Sequence, residues 1–173
     1  KSSNMDTDTD GNGVVDDFNY SSGGLTATKS LDDFAQKIEI IGSTNTNSAY
    51  ICQDNIAVSE GETYSFRVEA KTSGNVEVRL YISWRDSSNS HIVGVATSFV
   101  SLAGFDELKI ENAVVPANAT KCRVIMYSKP INAGDTGAAW FKNVMAEKAL
   151  SVGSYITTGT KSTNSIRVLS HNK

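Results

Sequence analysis

Val76-Glu77-Val78-Arg79-Leu80-Tyr81-Ile82-Ser83-Trp84-Arg85 alternates in character without a break. Successive side chains of an extended chain point to opposite faces. Val76, Val78, Leu80, Ile82 and Trp84 therefore share one face, and Glu77, Arg79, Tyr81, Ser83 and Arg85 share the other. The stretch predicts a half-buried strand whose polar face is open to a ligand. A helical period would scatter the same apolar residues around the axis.

The alternation recurs on both sides. Tyr64, Phe66, Val68 and Ala70 alternate with Ser65, Arg67 and Glu69. Val93, Val95 and Phe99 alternate with Gly94, Ala96 and Ser98, and Cys122, Val124 and Met126 with Arg123, Ile125 and Tyr127. Further strands are expected over 25–29, 35–41, 49–53, 107–115 and 139–147. Turn-forming clusters fall between them: Gly42-Ser43, Ser59-Glu60-Gly61-Glu62, Thr72-Ser73-Gly74-Asn75, 86–90 and Ala133-Gly134-Asp135. Short strands at regular spacing, with no strand–helix–strand rhythm, predict an all-β antiparallel sandwich of the jelly-roll kind. No internal repeat is present.

The chain has 173 residues, 39% hydrophobic and 20% charged, a globular balance. This suits one domain, assigned to residues 1–150, followed by a Ser-, Thr- and Asn-rich tail or linker at 151–173. In that tail only Tyr155-Ile156 and the stretch from Ile166 to Leu169 look strand-like. No apolar run approaches the roughly 18–20 residues of a spanning helix, so no membrane insertion is expected. The net charge of −3 argues against nucleic acid or an anionic membrane as the main partner. Cys52 and Cys122 sit in apolar strand-like segments and read as two buried free thiols, with a single bridge as the alternative. The chain opens on Lys1 with no apolar leader, and reads as a mature product or a piece of something larger.

Coordination chemistry is written into Asp8-Thr9-Asp10-Gly11-Asn12-Gly13-Val14-Val15-Asp16. Calcium takes six to eight oxygens from a flexible loop, with ligands at positions 1, 3, 5, 7 and 9 and a glycine turn at 6. In this register Asp8, Asp10 and Asn12 take the first three places. Gly13 makes the turn, Val14 offers its carbonyl, Val15 anchors the loop in the core and Asp16 takes the ninth place. A register beginning at Asp6 would put Gly13 where the apolar anchor belongs, so the first is preferred. Position 12 is Asn19, not a bidentate glutamate. Five aspartates between Asp6 and Asp17 repel one another unless a cation neutralises them. A structural calcium ion, held within 6–19 and tying the N-terminus to the sandwich, is expected.

Catalytic constellations are scarce. Only His91 and His171 carry protons near neutral pH, and His91 reads as an exposed loop residue. No Gly-x-Ser-x-Gly elbow, phosphate-cradling loop or His-rich metal spacing occurs. Glu60, Glu62, Asp106 and Glu107 sit beside turns as solubilising charges do. The chain is not expected to be an enzyme.

Taken in order, several segments resemble a carbohydrate-binding module of the family 4/9 type, a jelly roll of the galactose-binding-like group. They are the acidic loop running into Asp17-Phe18-Asn19-Tyr20, the Gln36-Lys37-Ile38 strand, the stretch from Val58 to Lys71, and Ala139-Trp140-Phe141-Lys142-Asn143-Val144-Met145-Ala146-Glu147-Lys148. The resemblance spans about Asn4 to Leu150. It implies a calcium-bearing turn at the start and a closing strand of Phe-x-Asn-Val type. The stretch from Glu147 to Ile156 is similar to the join that follows such modules in phage tail proteins, which implies a virion (tail) or extracellular location. One departure is the supply of tryptophan: only Trp84 and Trp140 exist, and the alternation turns Trp84 inward.

Sugars are held by aromatic rings stacked on C–H faces and by polar groups that pair with hydroxyls. The outward rows supply Arg79, Tyr81 and Arg85, Arg123 and Tyr127, and Gln53, with Trp140 as either a platform or a core residue. The arginines favour an acidic or polar glycan over cellulose. The expected partner is a polysaccharide or cell-surface glycan. The competing reading is a structural or oligomerisation domain of a phage tail, for instance a homotrimer, without sugar binding.

Overall fold

The computed structural model describes residues 7–148, together with the backbone of Ser2–Ser3 and Val168–Ser170. It contains the strands β1 (Ser2–Ser3), β2 (Asn19–Ser21), β3 (Ala27–Asp32), β4 (Ala35–Ile40), β5 (Ala49–Ala57) and β6 (Thr63–Gly74). These are followed by β7 (Val76–Arg85), β8 (His91–Ala96), β9 (Asp106–Val114), β10 (Lys121–Pro130), β11 (Gly137–Lys148) and β12 (Val168–Ser170). No helix occurs among the described residues.

Two sheets face each other. One runs β3-β4-β11-β6-β9, with β1 and β12 also pairing with β11; the other runs β2-β5-β10-β7-β8. All pairings are antiparallel except β11 with β12. This is the expected antiparallel sandwich. The deciding stretch is β7, bounded as read, and Val76, Val78, Leu80, Ile82 and Trp84 are all buried. They meet Phe66, Val68, Phe141, Val124 and Met126 in one core cluster. β6, β7, β10 and β11 turn alternate side chains into that core, and the apolar area removed from water drives the two layers together.

Four local readings differ from the structure. Thr72 to Asn75 is not a long turn: β6 continues to Gly74 and β7 begins at Val76. Gly74 can make so abrupt a reversal because it adopts a left-handed φ of 70° with Thr136 and Gly137 packed where a Cβ would stand. Along β8, Val93 is exposed at 46%, since this is an edge strand whose inner side overhangs the core. Phe99 does not share a face with Val95 either. Tyr81 is opposite Ala96 but Val78 is opposite Val100, so the intervening segment carries one extra residue. That residue turns Val100 inward and Phe99 outward. On β10, Ile125 lies on the outer row yet is buried.

Both cysteines are buried free thiols. Cys122 pairs with Trp84 in the core, whereas Cys52 pairs with Ile125 on the outer face of the same sheet. A sheet separates the two thiols, which excludes a bridge between them. Tyr155-Ile156, His171 and the boundary at residue 150 lie outside the described residues. No helix of the described residues is long and apolar enough to cross a membrane.

Candidate functional site

The polar face of β7 looks into a cleft of about 300 Å³ on the outside of the five-stranded sheet. Cross-strand register builds it. Tyr127 stands opposite both Arg79 and Tyr50, Ile125 opposite Tyr81, and Arg123 opposite Ser83. The structure thus brings Arg79, Tyr81, Arg85, Arg123 and Tyr127 together, with Tyr50, Ser83, His91 and Ile125 completing the lining.

Three tyrosines run across adjacent strands. Tyr127 meets Tyr50 edge-on at 5.4 Å and Tyr81 edge-on at 6.0 Å between ring centroids. Such pairs hold each ring in place beyond simple burial. Burial pushes the Tyr127 phenol above its ordinary value, against the opposing pull of Arg79, so it remains a neutral hydroxyl. The Arg79 guanidinium lies over Phe99 at 4.4 Å, Tyr127 at 5.0 Å and Tyr81 at 5.6 Å. At the other end, Arg85 donates to the Asn89 carbonyl at 2.6 Å, and the Ser83 hydroxyl and His91 Nδ1 are 2.9 Å apart. Arg123 is ion-paired with Asp54.

That last pair comes from a bulge. Cys122 is opposite Ile56 and Val124 opposite Gln53, so Asp54 and Asn55 together face Arg123. Asn55 absorbs the extra residue at a left-handed φ of 58°. Gln53, expected on the binding face, lies instead on the inner side: it is opposite the core residue Val124 and nearly buried. Ile51 and Gln53 share a face, as Tyr50 and Cys52 share the other. Tyr50, Asp54 and His91 were missed by the sequence reading. The alternation along β5 carried a signal for Tyr50, but the bulge and the curl of β8 that place Asp54 and His91 leave none.

Trp140 is on the other sheet and faces away from this cleft. Its ring is half-exposed, with Nε1 donating to Asp32 at 2.8 Å and the Lys71 and Lys37 ammonium groups 4.5 and 5.5 Å from the ring centroid. It borders a separate depression of about 380 Å³ with Lys37, Ile41 and Thr136. Of the seven residues expected to contact a sugar, five line the cleft, Gln53 lies inside and Trp140 lies on the opposite outer face of the sandwich.

The N-terminal loop packs against β4. Asp8 accepts from the Asn12 and Gly13 amides at 3.0 and 2.7 Å, Asp10 from the Asn12 amide at 3.0 Å, and Asn12 Oδ1 from the Val14 amide at 2.8 Å. Asp16 accepts from the Thr9 amide at 3.1 Å and from its hydroxyl. Asp8, Asp10 and Asp16 each place a carboxylate oxygen within 4.8 Å of the others. The Asn12 amide is the main cause holding the Asp10 carboxyl below its ordinary value. Gly13 turns at φ 79°, where a Cβ would meet the Lys29 carbonyl oxygen at 3.0 Å. Val14 and Val15 are buried. Buried Gln36 fixes the loop: its Oε1 accepts from the Val15 amide at 2.9 Å, and its Nε2 donates to the Gly13 and Ser30 carbonyls at 3.0 Å each. The donors are hard oxygens of carboxylate, carboxamide and carbonyl type, a set that fits calcium.

No protein-family model matches the chain, and no curated protein matches it. Solved structures do. The chain is similar to the C-terminal family 22 carbohydrate-binding module of Clostridium thermocellum Xyn10B, with TM-score 0.53 and 10% identity over 83% of this chain and 90% of that one. It is similar to a CBM4 structure, with TM-score 0.52 and 14% identity over 75% of this chain and 93% of that one. A third match is the enzymatically active domain of tailspike protein 4 of bacteriophage CBA120, with TM-score 0.59 and 15% identity over 82% of this chain. There the chain spans only 21% of its relative's length. The fold is thus the jelly roll of carbohydrate-binding modules. The likeness reaches more than one family of them, and fixes the type of fold and no single family.

Proposed function

We propose that this chain is a non-catalytic glycan-binding module, stabilised by one calcium ion, within a phage tail or secreted protein. The cleft carries this reading: three tyrosines in a row, Arg79 at one end, and Arg85 with the Ser83 hydroxyl and the His91 imidazole at the other, on the open face of a sheet. Rings of fixed orientation stack on sugar C–H faces, and guanidinium groups pair with hydroxyls in two directions. The similarity to carbohydrate-binding modules supports the same use of the fold. An array of bacterial and plant polysaccharides tests it. Binding that is lost in Tyr127→Ala, with the melting temperature kept, is the expected result; no binding to any saccharide overturns the reading.

Asp8, Asp10, Asn12 and Asp16 would hold the ion by side-chain oxygens, and Val14 by its carbonyl. The ion supplies charge neutralisation to the acidic loop. The tailspike similarity favours one rival, a structural or oligomerisation domain of a phage tail. A stable trimer in light scattering, combined with an empty array, would select it.

A further inference from the structure

We propose that the cleft is selective for a saccharide bearing a carboxylate, and that Arg79 is the group that receives it. This rests on the glycan-binding reading above.

The chain as a whole is acidic, at −3. The cleft is not: its lining holds three arginines and no carboxylate among the described residues. The three are not equivalent. Arg123 is neutralised by Asp54, and Arg85 spends one N–H on the Asn89 carbonyl. Arg79 makes no hydrogen bond and no ion pair among the described residues; its Nε, like that of Arg85, is buried without a partner. The nearest acidic residue along its face of β7, Glu77, is engaged by Lys129 at 3.3 Å.

A half-buried cation without a counter-ion is costly unless something replaces its water. The three rings around Arg79 replace part of it, because each presents the negative face of its π system. The cation lies over the ring faces of Phe99, Tyr127 and Tyr81, and none of these contacts is a hydrogen bond that uses up its N–H groups. A planar fork of donors, held still by aromatic walls and facing a cleft, matches the two oxygens of a carboxylate. The rings also prepay the ordering cost of the long side chain, so the ligand need not. A neutral sugar could satisfy the N–H groups but would leave the charge uncompensated. Tyr81 and Tyr127, which clamp the guanidinium, are also the rings available for stacking, so carboxylate and sugar ring would be read by one cluster.

The test uses the full chain and three uronate polymers: polygalacturonate, alginate and hyaluronan. Each is compared with its carboxyl-reduced or methyl-esterified form, and with polyglutamate as a polyanion lacking sugar. At least one uronate polymer should bind tenfold or more tighter than its neutralised form and than polyglutamate. Arg79→Gln should abolish that preference. Arg79→Lys, which keeps the charge without the fork, should restore only part of it; melting curves of both variants verify the fold. Equal binding of acid and neutralised forms would overturn the inference and leave the glycan reading standing. Equal binding of uronate polymer and polyglutamate would reduce it to simple charge attraction and overturn it. No binding to any acidic or neutral saccharide would overturn both.

Discussion

Tyr81 rests on bare backbone: a Cβ added to Gly94 would stand 2.1 Å from the Tyr81 hydroxyl oxygen and 2.3 Å from its Cζ. The missing side chain on the edge strand β8 is what lets the ring lie flat across its neighbour and close one end of the tyrosine row. Gly94→Ala should push the ring off its seat. Glycan affinity should fall roughly three- to tenfold, on the scale of one aromatic contact. The melting temperature should change little, because Gly94 and Tyr81 lie outside the core. Isothermal titration beside a thermal melt separates the two effects.

Calcium removal should be visible as lost stability. At about 100 to 1,000 times Kd a ligand adds roughly 3–4 kcal/mol, and in a domain of this size each kcal/mol is worth about 2–4 °C. A chelator should therefore lower the melting temperature by several degrees or more, and added calcium should restore it. Asp10→Ala should melt like the chelated protein and ignore both reagents. A melting curve indifferent to chelator would remove the ion from the picture.

Gln36 should matter more than its polarity suggests. Gln36→Leu keeps the volume but strands the Val15 amide and the Gly13 carbonyl, which it now satisfies at 2.9 and 3.0 Å. Unsatisfied buried groups of this kind cost about 1–3 kcal/mol each. A loss of about 2–3 kcal/mol in urea unfolding is expected. Calcium affinity, measured by titration, should fall with it.

Neither thiol should react in the folded protein. Burial pushes Cys52 and Cys122 up to about 12, and the Asp54 carboxylate beside Cys52 adds to its share. The thiolate is the reactive form, so labelling near neutral pH should wait for unfolding. Reducing agent should leave the melting temperature unchanged. Two equivalents of label taken up rapidly by native protein would contradict this.

Acid should weaken the pairing of β6 with β9. The Lys109 hydrogen bond, followed by the charge of buried Arg67, holds the Glu107 carboxyl below its ordinary value of 4.5. Folding lowers that pKa, so the stability it brings is present above the unfolded value and is lost as the pH falls through the folded one. Melting temperatures taken from about pH 6 down to about pH 3 should drop more steeply for the parent chain than for Glu107→Gln. Parallel curves would assign the acid sensitivity to other carboxylates.

Much of this molecule was legible in a list of residues, because a strand has a period of two and a sandwich must bury one face of each strand. The row from Val76 to Trp84 announced both the core and the open face before any pairing was known. The acidic loop was equally plain, since spacing and a glycine turn are local properties. Pairing was not local. Gln53 read as a cleft residue until its register opposite Val124 put it inside. Trp140 read as either a binding platform or a core residue until the sheet order placed it on the far side of the sandwich from the cleft.

What sequence alone determined, then, were quantities carried by neighbours along the chain: the faces of regular strands such as β7, and the spacing and glycine turn of the oxygen-rich loop. What only tertiary structure decided were the encounters between distant segments. The bulge at Asp54-Asn55 neutralises Arg123, whereas Arg79 has neither a hydrogen bond nor an ion pair among the described residues. The extra residue before Val100 turns Phe99 outward to wall it in. Both depend on register between strands, and register is set by the packing of the whole core, which no single segment encodes.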